Sequence, residues 1–406
     1  MSLQNQRESR SRVLPLVVLI GWVLSASAAD LVPVESLGLR IAAGFRITLY
    51  ADSDLAPDIY AMTLDSRGRV VVTSQGYIKT LLDLDGDGKA DKAVLFAKTR
   101  TGGMGLCFDG NDLYFSGDDG FSVYHDRAGD GRADGPPQRI LPAHTAEHGG
   151  HAMRRGPDGY WYLIGGNDAG FSPAHVTATN SPIHRPEAGA LLRISPDLKR
   201  TEIIAHGLRN PYDFDFTWTG DILTYDSDCE RDFFLPWYTP TRLFHLGYGL
   251  HHGWRLEGWE RSWARPNDYP DVVDILWPVG RGSPTGIICY RHHQFPAHYR
   301  DGLFALDWTF GKVYFFPLES LRASYQTRPE IFLEPIGTQG FAPTDIAVAP
   351  DGSVFLSIGG RKTRGAVYHI EYVGDTNRLS LAERRLPARR QRPSPAAAET
   401  GAPPDA

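Results

Sequence analysis

The sequence predicts an all-β protein folded as a six-bladed β-propeller, and three observations predict it. The first is a short β-rich run, a glycine-containing turn and a second run of aliphatic and aromatic residues, recurring six times. The copies run from Met62 to Gly76, Cys107 to Gly120, Arg154 to Asp168, Asp215 to Asp228, Tyr299 to Phe316 and Val348 to Gly360. Their turn glycines, Gly68, Gly110, Gly159, Gly220, Gly302 and Gly352, are spaced by 42, 49, 61, 82 and 50 residues. Repeats of about 40–50 residues with strand-like content match four-stranded propeller blades. The second observation is an acidic turn of the frame D-x-x-x-D-G-x-x-D at Asp83–Asp91 and again at Asp126–Asp134, offset by 43 residues, one blade. The third is the scarcity of helical periodicity anywhere between the termini. A β-sandwich with coincidental Asp-Gly turns is the alternative architecture.

The blades justify themselves in order. Turn glycines relieve the strain of tight hairpins, and the flanking Val, Ile, Phe, Tyr and Trp residues suit a half-buried pleated surface. The wider gaps imply insertions, at Phe171 to Glu187 and Phe233 to Arg281. Among 406 residues, 43 Gly, 29 Pro and 46 aromatics exclude a coiled coil or a mostly disordered chain, and 42% hydrophobic content supplies a sizeable core.

The two ends read differently. Arg7, Arg10 and Arg12 precede an apolar run from Val13 to Leu24 and the small residues Ser25 to Ala29. This is the layout of a secretory signal cut after Ala28, with an apolar run shorter than the roughly 20 residues that span a bilayer; a non-cleaved anchor is the alternative. Residues 1–28 are therefore expected to be a signal peptide, 29–374 the propeller, and 375–406 a disordered tail rich in Arg, Pro and Ala. Export to the periplasm or outside the cell follows, with no membrane span in the mature form.

The net charge of −6 excludes the basic surface of a nucleic-acid partner. Both ends carry +2, which leaves −10 on the body. Three cysteines, with no CxxC, support neither a disulfide scaffold nor structural zinc nor attached haem.

Propellers bind ligands where loops converge at the channel mouth, and three stretches enter blades there. They are Glu147-His148-Gly149-Gly150-His151, Gly207-Leu208-Arg209-Asn210-Pro211 and Ser283-Pro284-Thr285-Gly286. A histidine followed by two glycines is sterically open, and imidazole is a general base near neutral pH. Arg209 and Asn210 supply donors for carboxylates and carbonyls. Asp83, Asp85 and Asp87 match the front half of a calcium loop, with Asp91 closing the frame, but Val94 stands where its terminal Glu belongs. The same residues also suit a tight hairpin.

These stretches carry a resemblance. HGGHAMRRGPDG (His148 to Gly159) resembles HNGGRIRFGPDG of the pyrroloquinoline-quinone (PQQ) dependent glucose/sorbosone dehydrogenase family. GLRNPYDFDF is similar to its GLRNPQGLAFD, and SPTGIICYRHHQFPAHYRDGLF to its PSGLTFYTGDRFP stretch. TRLFHLGYGLHHGWR and DLDGDGKAD resemble a bacterial branch labelled as membrane-bound dehydrogenase. The likeness runs from about Gly44 to Tyr372 in the same order and implies a six-bladed propeller. It implies that His148 takes a proton from a sugar hydroxyl as hydride passes to PQQ, and that Arg209 and Asn210 contact the cofactor. Where the family has a carboxylate orienting that histidine, this chain has Asn167 followed by Asp168.

There are further departures. The family's GQGGLLG loop becomes Arg100 to Gly105 without its glutamine, and its RIRD run becomes Ala342-Pro343-Thr344-Asp345. Arg361, Lys362 and Arg364 follow the blade-six strand and could replace the missing guanidiniums. His144, His151, His251 and His252 take no family role.

The leading expectation is an exported quinoprotein-like dehydrogenase that oxidises an aldose or polyol, with PQQ and calcium as cofactors and a separate electron acceptor. A second is a non-redox propeller that binds carbohydrate or protein, using Trp237, Tyr248, Trp254, Trp259 and Trp263 for stacking. A third is a metal-dependent hydrolase or lactonase with carboxylates and histidines at the channel.

Overall fold

The computed structural model of the chain describes residues 30–256, 262–265 and 269–374. The expected signal peptide, the expected tail and Trp259 lie outside these residues. Six antiparallel sheets stand in a ring, each with four strands as its body. From the channel outwards, blade one is Ala61–Leu64, Val70–Ser74, Tyr77–Leu82 and Lys92–Ala97. Blade two is Gly103–Asp109, Asp112–Gly117, Gly120–Tyr124 and Gln138–Pro142. Blade three is Gly150–Arg155, Trp161–Gly165, Gly189–Ile194 and Thr201–Leu208, and blade four is Phe214–Phe216, Ile222–Asp226, Thr241–Leu246 and Trp277–Gly280. Blade five is Pro284–Cys289, Leu303–Asp307, Lys312–Phe316 and Glu330–Pro335.

Blade six is assembled from both ends of the described chain. Pro343–Val348, Val354–Ile358 and Ala366–Tyr372 are joined by Phe45–Ala51, antiparallel to Ala366–Tyr372. This closes the ring. The hairpin Leu31–Val34 and Leu39–Ala42 then pairs with the outer strand of blade five, covering an edge that would otherwise offer free backbone groups.

The predicted hairpin turns fall between the first and second strands of every blade. Five of the six turn glycines (68, 110, 159, 220 and 352) have positive φ, between 63° and 91°, which is why glycine stands there. In blade five Asp301 takes the left-handed position at φ 59°, directly before Gly302. The two acidic turns both join a third strand to an outer strand, in blades one and two.

One insertion is corrected. Residues 233–281 are not a single excursion, because Thr241–Leu246 and Trp277–Gly280 are blade-four strands. What is inserted is the segment carrying Leu250–His251 and the hairpin Trp254–Leu256/Ser262–Ala264. Leu250–His251 runs parallel to the outer strand of blade three.

The core is a series of layers between neighbouring blades rather than one central mass. Leu223, Tyr225 and Leu243 of blade four pack on Ile287, Leu303 and Phe316 of blade five. Between blades five and six, Phe45 meets Phe295 and Phe332 edge-on at 4.7 and 4.8 Å, a favoured aromatic geometry. The ring axis is left with a polar cavity of about 40 Å3, lined by inner-strand residues including Met62, Met104, Arg154, Asp213 and Asp345.

Candidate functional site

In this ring, connections from one blade's outer strand to the next blade's inner strand emerge on the same face as those between second and third strands. His148, Asn167, Asp168, Arg209, Asn210, Arg361, Lys362 and Arg364 all lie in such connections. Asp83, Asp85, Asp87 and Asp91 lie on the opposite face, in a connection between third and outer strands.

His148 is set by a backbone lattice. The Gly166 N–H donates to Gly149 O at 2.8 Å, the Asp168 N–H to His148 O at 2.9 Å and the Asn167 N–H to Arg209 O at 2.7 Å. Three separate stretches thereby converge on one corner between blades three and four. Gly166 is required for this approach, since a Cβ there would lie 2.6 Å from His148 O and 2.8 Å from Asn210 Oδ1. The His148 ring donates from Nδ1 to Asn167 Oδ1 at 2.7 Å, and Asn167 is buried. That bond fixes the tautomer and leaves Nε2 as the acceptor nitrogen. Asp168, the other expected partner, is exposed and meets His148 through its backbone. The orienting contact belongs to Asn167.

The same corner in other blades uses a carboxylate for a different purpose. Asp118 accepts from the Arg100 and Thr101 amides, Asp226 from those of Arg209 and Asn210, and Asp307 from that of Ser283. In these blades the end of the second strand holds loop backbone. In blade three the residue at that end holds an imidazole instead.

The four expected cations do not converge as a set. Arg209 is buried, its guanidinium bound to Ser227 Oγ at 2.8 Å and Glu230 Oε2 at 2.7 Å, above the Trp254 ring. Arg364 binds Tyr368 Oη at 3.0 Å, and Lys362 donates its N–H to Asp58 Oδ1 at 2.9 Å. Arg361 alone of the four pairs with Glu147, the neighbour of His148.

Beneath this level the channel is bridged. Tyr212 Oη of the loop entering blade four donates to Tyr60 O, next to blade one, at 2.6 Å. Arg154 binds Asp213 through two contacts, Nε–Oδ1 at 3.0 Å and Nη2–Oδ2 at 2.5 Å. Burial, and then the charge of Asp213, push the carboxyl of Asp345, buried beside them, above the usual carboxylate range. Asp213 and Asp345 are equivalent: each accepts its own following amide and one from the next blade's inner strand. These contacts leave only the small cavity lined by Met62, Met104 and their neighbours along the axis.

The other histidines singled out in the sequence are engaged within the fold. His151 donates from Nδ1 to Pro211 O at 2.8 Å, and His144 Nδ1 lies 3.2 Å from Asp168 O. His251 Nε2 binds Glu187 at 3.0 Å, where Arg255 also pairs, so Glu187 ties the two insertions together. Burial pushes His206 down to about 4 and His252 down to about 3. An unfolded histidine takes up a proton near pH 6.5, which folded His252 refuses until far lower. The wild type should therefore lose stability relative to a His252→Gln variant as pH falls below about 6.5. Urea unfolding of both proteins at pH 7.5 and pH 5 reads this difference; an equal gap at both values contradicts it.

Of the proposed stacking residues, Trp254 is buried, whereas Trp237 is 64% exposed, Tyr248 57% and Trp263 40%. Phe234, at 93% exposed, joins Trp237 in the loop after the second strand of blade four, on the His148 face. Among the described residues, Asp83, Asp85 and Asp91 are the one group of three or more His, Cys, Asp or Glu close enough to share a metal ion, with ligand atoms within 4.8 Å; Asp87 is outside it. All three cysteines are free, and among the described residues no helix is long and apolar enough to cross a membrane.

Residues 33–357 match the sequence profile of a family described as "Domain of unknown function (DUF7133)". No curated protein matches the chain significantly. Solved structures share the fold at low identity. The holo PQQ domain of pyranose dehydrogenase from Coprinopsis cinerea is 14% identical, with a TM-score of 0.58, over 82% of this chain and 97% of that one. PQQ-bound aldose sugar dehydrogenase from Streptomyces coelicolor is 15% identical, with a TM-score of 0.54, over 82% and 99%. A calcium structure of a Carbohydrate-Active Enzymes Family AA12 protein from Trichoderma reesei is 14% identical, with a TM-score of 0.61, over 86% and 98%.

Proposed function

The chain belongs to the DUF7133 family, and from its site we propose that it is an exported dehydrogenase oxidising an aldose or polyol with PQQ, using His148 as general base. The observation that carries this reading is the Nδ1 bond from His148 to buried Asn167, which sets the ring's tautomer with its acceptor lone pair on Nε2. The fold shared with sugar dehydrogenases whose structures hold PQQ supports it.

The residues at the mouth fit such a cofactor, with one condition. Asn210 Oδ1 is buried without a hydrogen-bond partner, and Gly166 packs closely beside it. Asn210 and Arg361 would hold PQQ, Arg361 binding a carboxylate once Glu147 yields it. Arg209 shapes the loop that carries Asn210 rather than touching the ligand. PQQ would supply the two-electron acceptor for hydride from the sugar carbon. His148 Nε2 receives the hydroxyl proton, and Asn167 keeps the ring in one orientation before and after transfer. Tyr212 and the Arg154–Asp213 pair narrow the channel from below. Electrons leave to a separate acceptor.

The expected calcium separates from this chemistry. Bound by Asp83, Asp85 and Asp91, it would brace a turn on the far face. Chelation is then expected to lower the unfolding temperature without altering KM for the sugar; a raised KM would place calcium at the mouth instead.

A second reading, a non-redox carbohydrate-binding propeller, is favoured by the exposed Trp237 and Phe234 on the His148 face. The hydrolase reading has no metal-holding group at the mouth among the described residues. Steady-state dye reduction with a panel of aldoses and polyols, after adding PQQ and calcium, separates the readings. Sugar-dependent turnover supports the dehydrogenase, and sugar binding without turnover supports the alternative.

A further inference from the structure

Blades three and six face each other across a ring of six, so a contact between their loops passes over the channel axis. Arg361, in the loop between the second and third strands of blade six, and Glu147, in the loop entering blade three, make such a contact 214 residues apart. Both side chains are largely exposed, 63% and 66%, so solutes at the mouth can reach them.

The two partners are held very differently. The Arg361 guanidinium lies 5.5 Å from the Trp308 ring centroid, and Trp308 Nε1 donates to Gly359 O at 2.7 Å. Gly360, Arg361 and Lys362 are successively left-handed, with φ of 80°, 55° and 64°, and the Lys362 N–H is tied to Asp58. A non-glycine pair in this conformation persists only where its surroundings over-determine it. The arginine is thus preorganised at the rim, and the glutamate brings a carboxylate to it from the residue before the base.

Resting on the PQQ reading of the mouth, we infer that Glu147 is an internal stand-in for a ligand carboxylate. Its ion pair with Arg361 straps the mouth beside His148, and a carboxylate-bearing ligand enters by displacing Glu147 from Arg361. An exposed ion pair is weak enough to be exchanged on binding. It answers how a body of charge −10 admits an anion: Arg361 is one cation already reserved for a carboxylate.

Two measurements on the purified full chain test this. PQQ binding, followed by tryptophan quenching, should tighten about two- to fivefold in Glu147→Gln, the range of an exposed pair. It should weaken in Arg361→Gln, and Glu147→Gln should bring no gain in the Arg361→Gln background. Amide hydrogen exchange of residues 359–363 in ligand-free protein should be faster in Glu147→Gln than in wild type. PQQ binding that is unchanged or weaker in Glu147→Gln overturns the displacement, and unchanged exchange overturns the strap. Faster exchange with PQQ bound by no variant retires the PQQ reading and keeps the strap.

Discussion

Replacing His148 with alanine is expected to lower kcat for aldose oxidation by about 10²–10⁴-fold, the usual contribution of a positioned general base. PQQ affinity should change little, because the ring is engaged with Asn167 rather than committed to an anion. The companion substitution Asn167→Asp sharpens the assignment. A carboxylate at that position would stabilise the imidazolium more than an amide does, raising the histidine's pKa. The acid limb of the pH–rate profile should therefore move to higher pH in Asn167→Asp. A merely structural Asn167 would alter stability and leave that limb in place. Full turnover in His148→Ala would remove the proposed base outright.

The second large effect is on stability. Asp226→Ala is expected to cost about 3–5 kcal/mol, the penalty for stripping one partner from a buried ion pair. Asp226 is fully buried and accepts the amides of Arg209, Asn210 and Ser227 at 2.9, 2.7 and 2.9 Å, besides Arg242 Nη2 at 3.2 Å. Arg242 is itself buried, and its Nε has no hydrogen-bond partner, so its charge would be left almost uncompensated. A fall in Tm of roughly 4–7 °C follows. Because Arg209 O anchors the Asn167 amide, the folded fraction should also lose activity as the corner loosens. A Tm within a degree or two of wild type would show that Arg242 finds another partner.

What could be read before the structure was local, and what could not was distant. The six hairpins were legible because turn chemistry is written within a few residues: glycine where φ is positive, with β-branched and aromatic residues on either side. The acidic turns were legible for the same reason, since Asp83 and Asp126 each cap the amides a few residues downstream. Thr241–Leu246 reads in the sequence as part of an insertion because no Asp-Gly turn flags a third strand. The closure of blade six by Phe45–Ala51 pairs residues more than 300 positions apart, where no local pattern operates.

At the site, the histidine and its partner at the end of the second blade-three strand were visible, but partner choice was not. Arg209 looked like a ligand contact, yet Glu230 and Ser227 claim it. Glu147 stood in the motif without a role until the ring brought Arg361 to it. Asp226 could have been found, because Asp118, Asp226 and Asp307 all end a second strand or directly follow one.

The most direct test of the account is a single half-reaction. Protein loaded with PQQ is mixed anaerobically with an aldose, with no electron acceptor present, and the quinone absorbance is followed. The account predicts stoichiometric loss of the oxidised spectrum, slowed when deuterium replaces hydrogen at the anomeric carbon and slowed far more in His148→Ala. A quinone spectrum that persists in wild type across aldoses and polyols would contradict it.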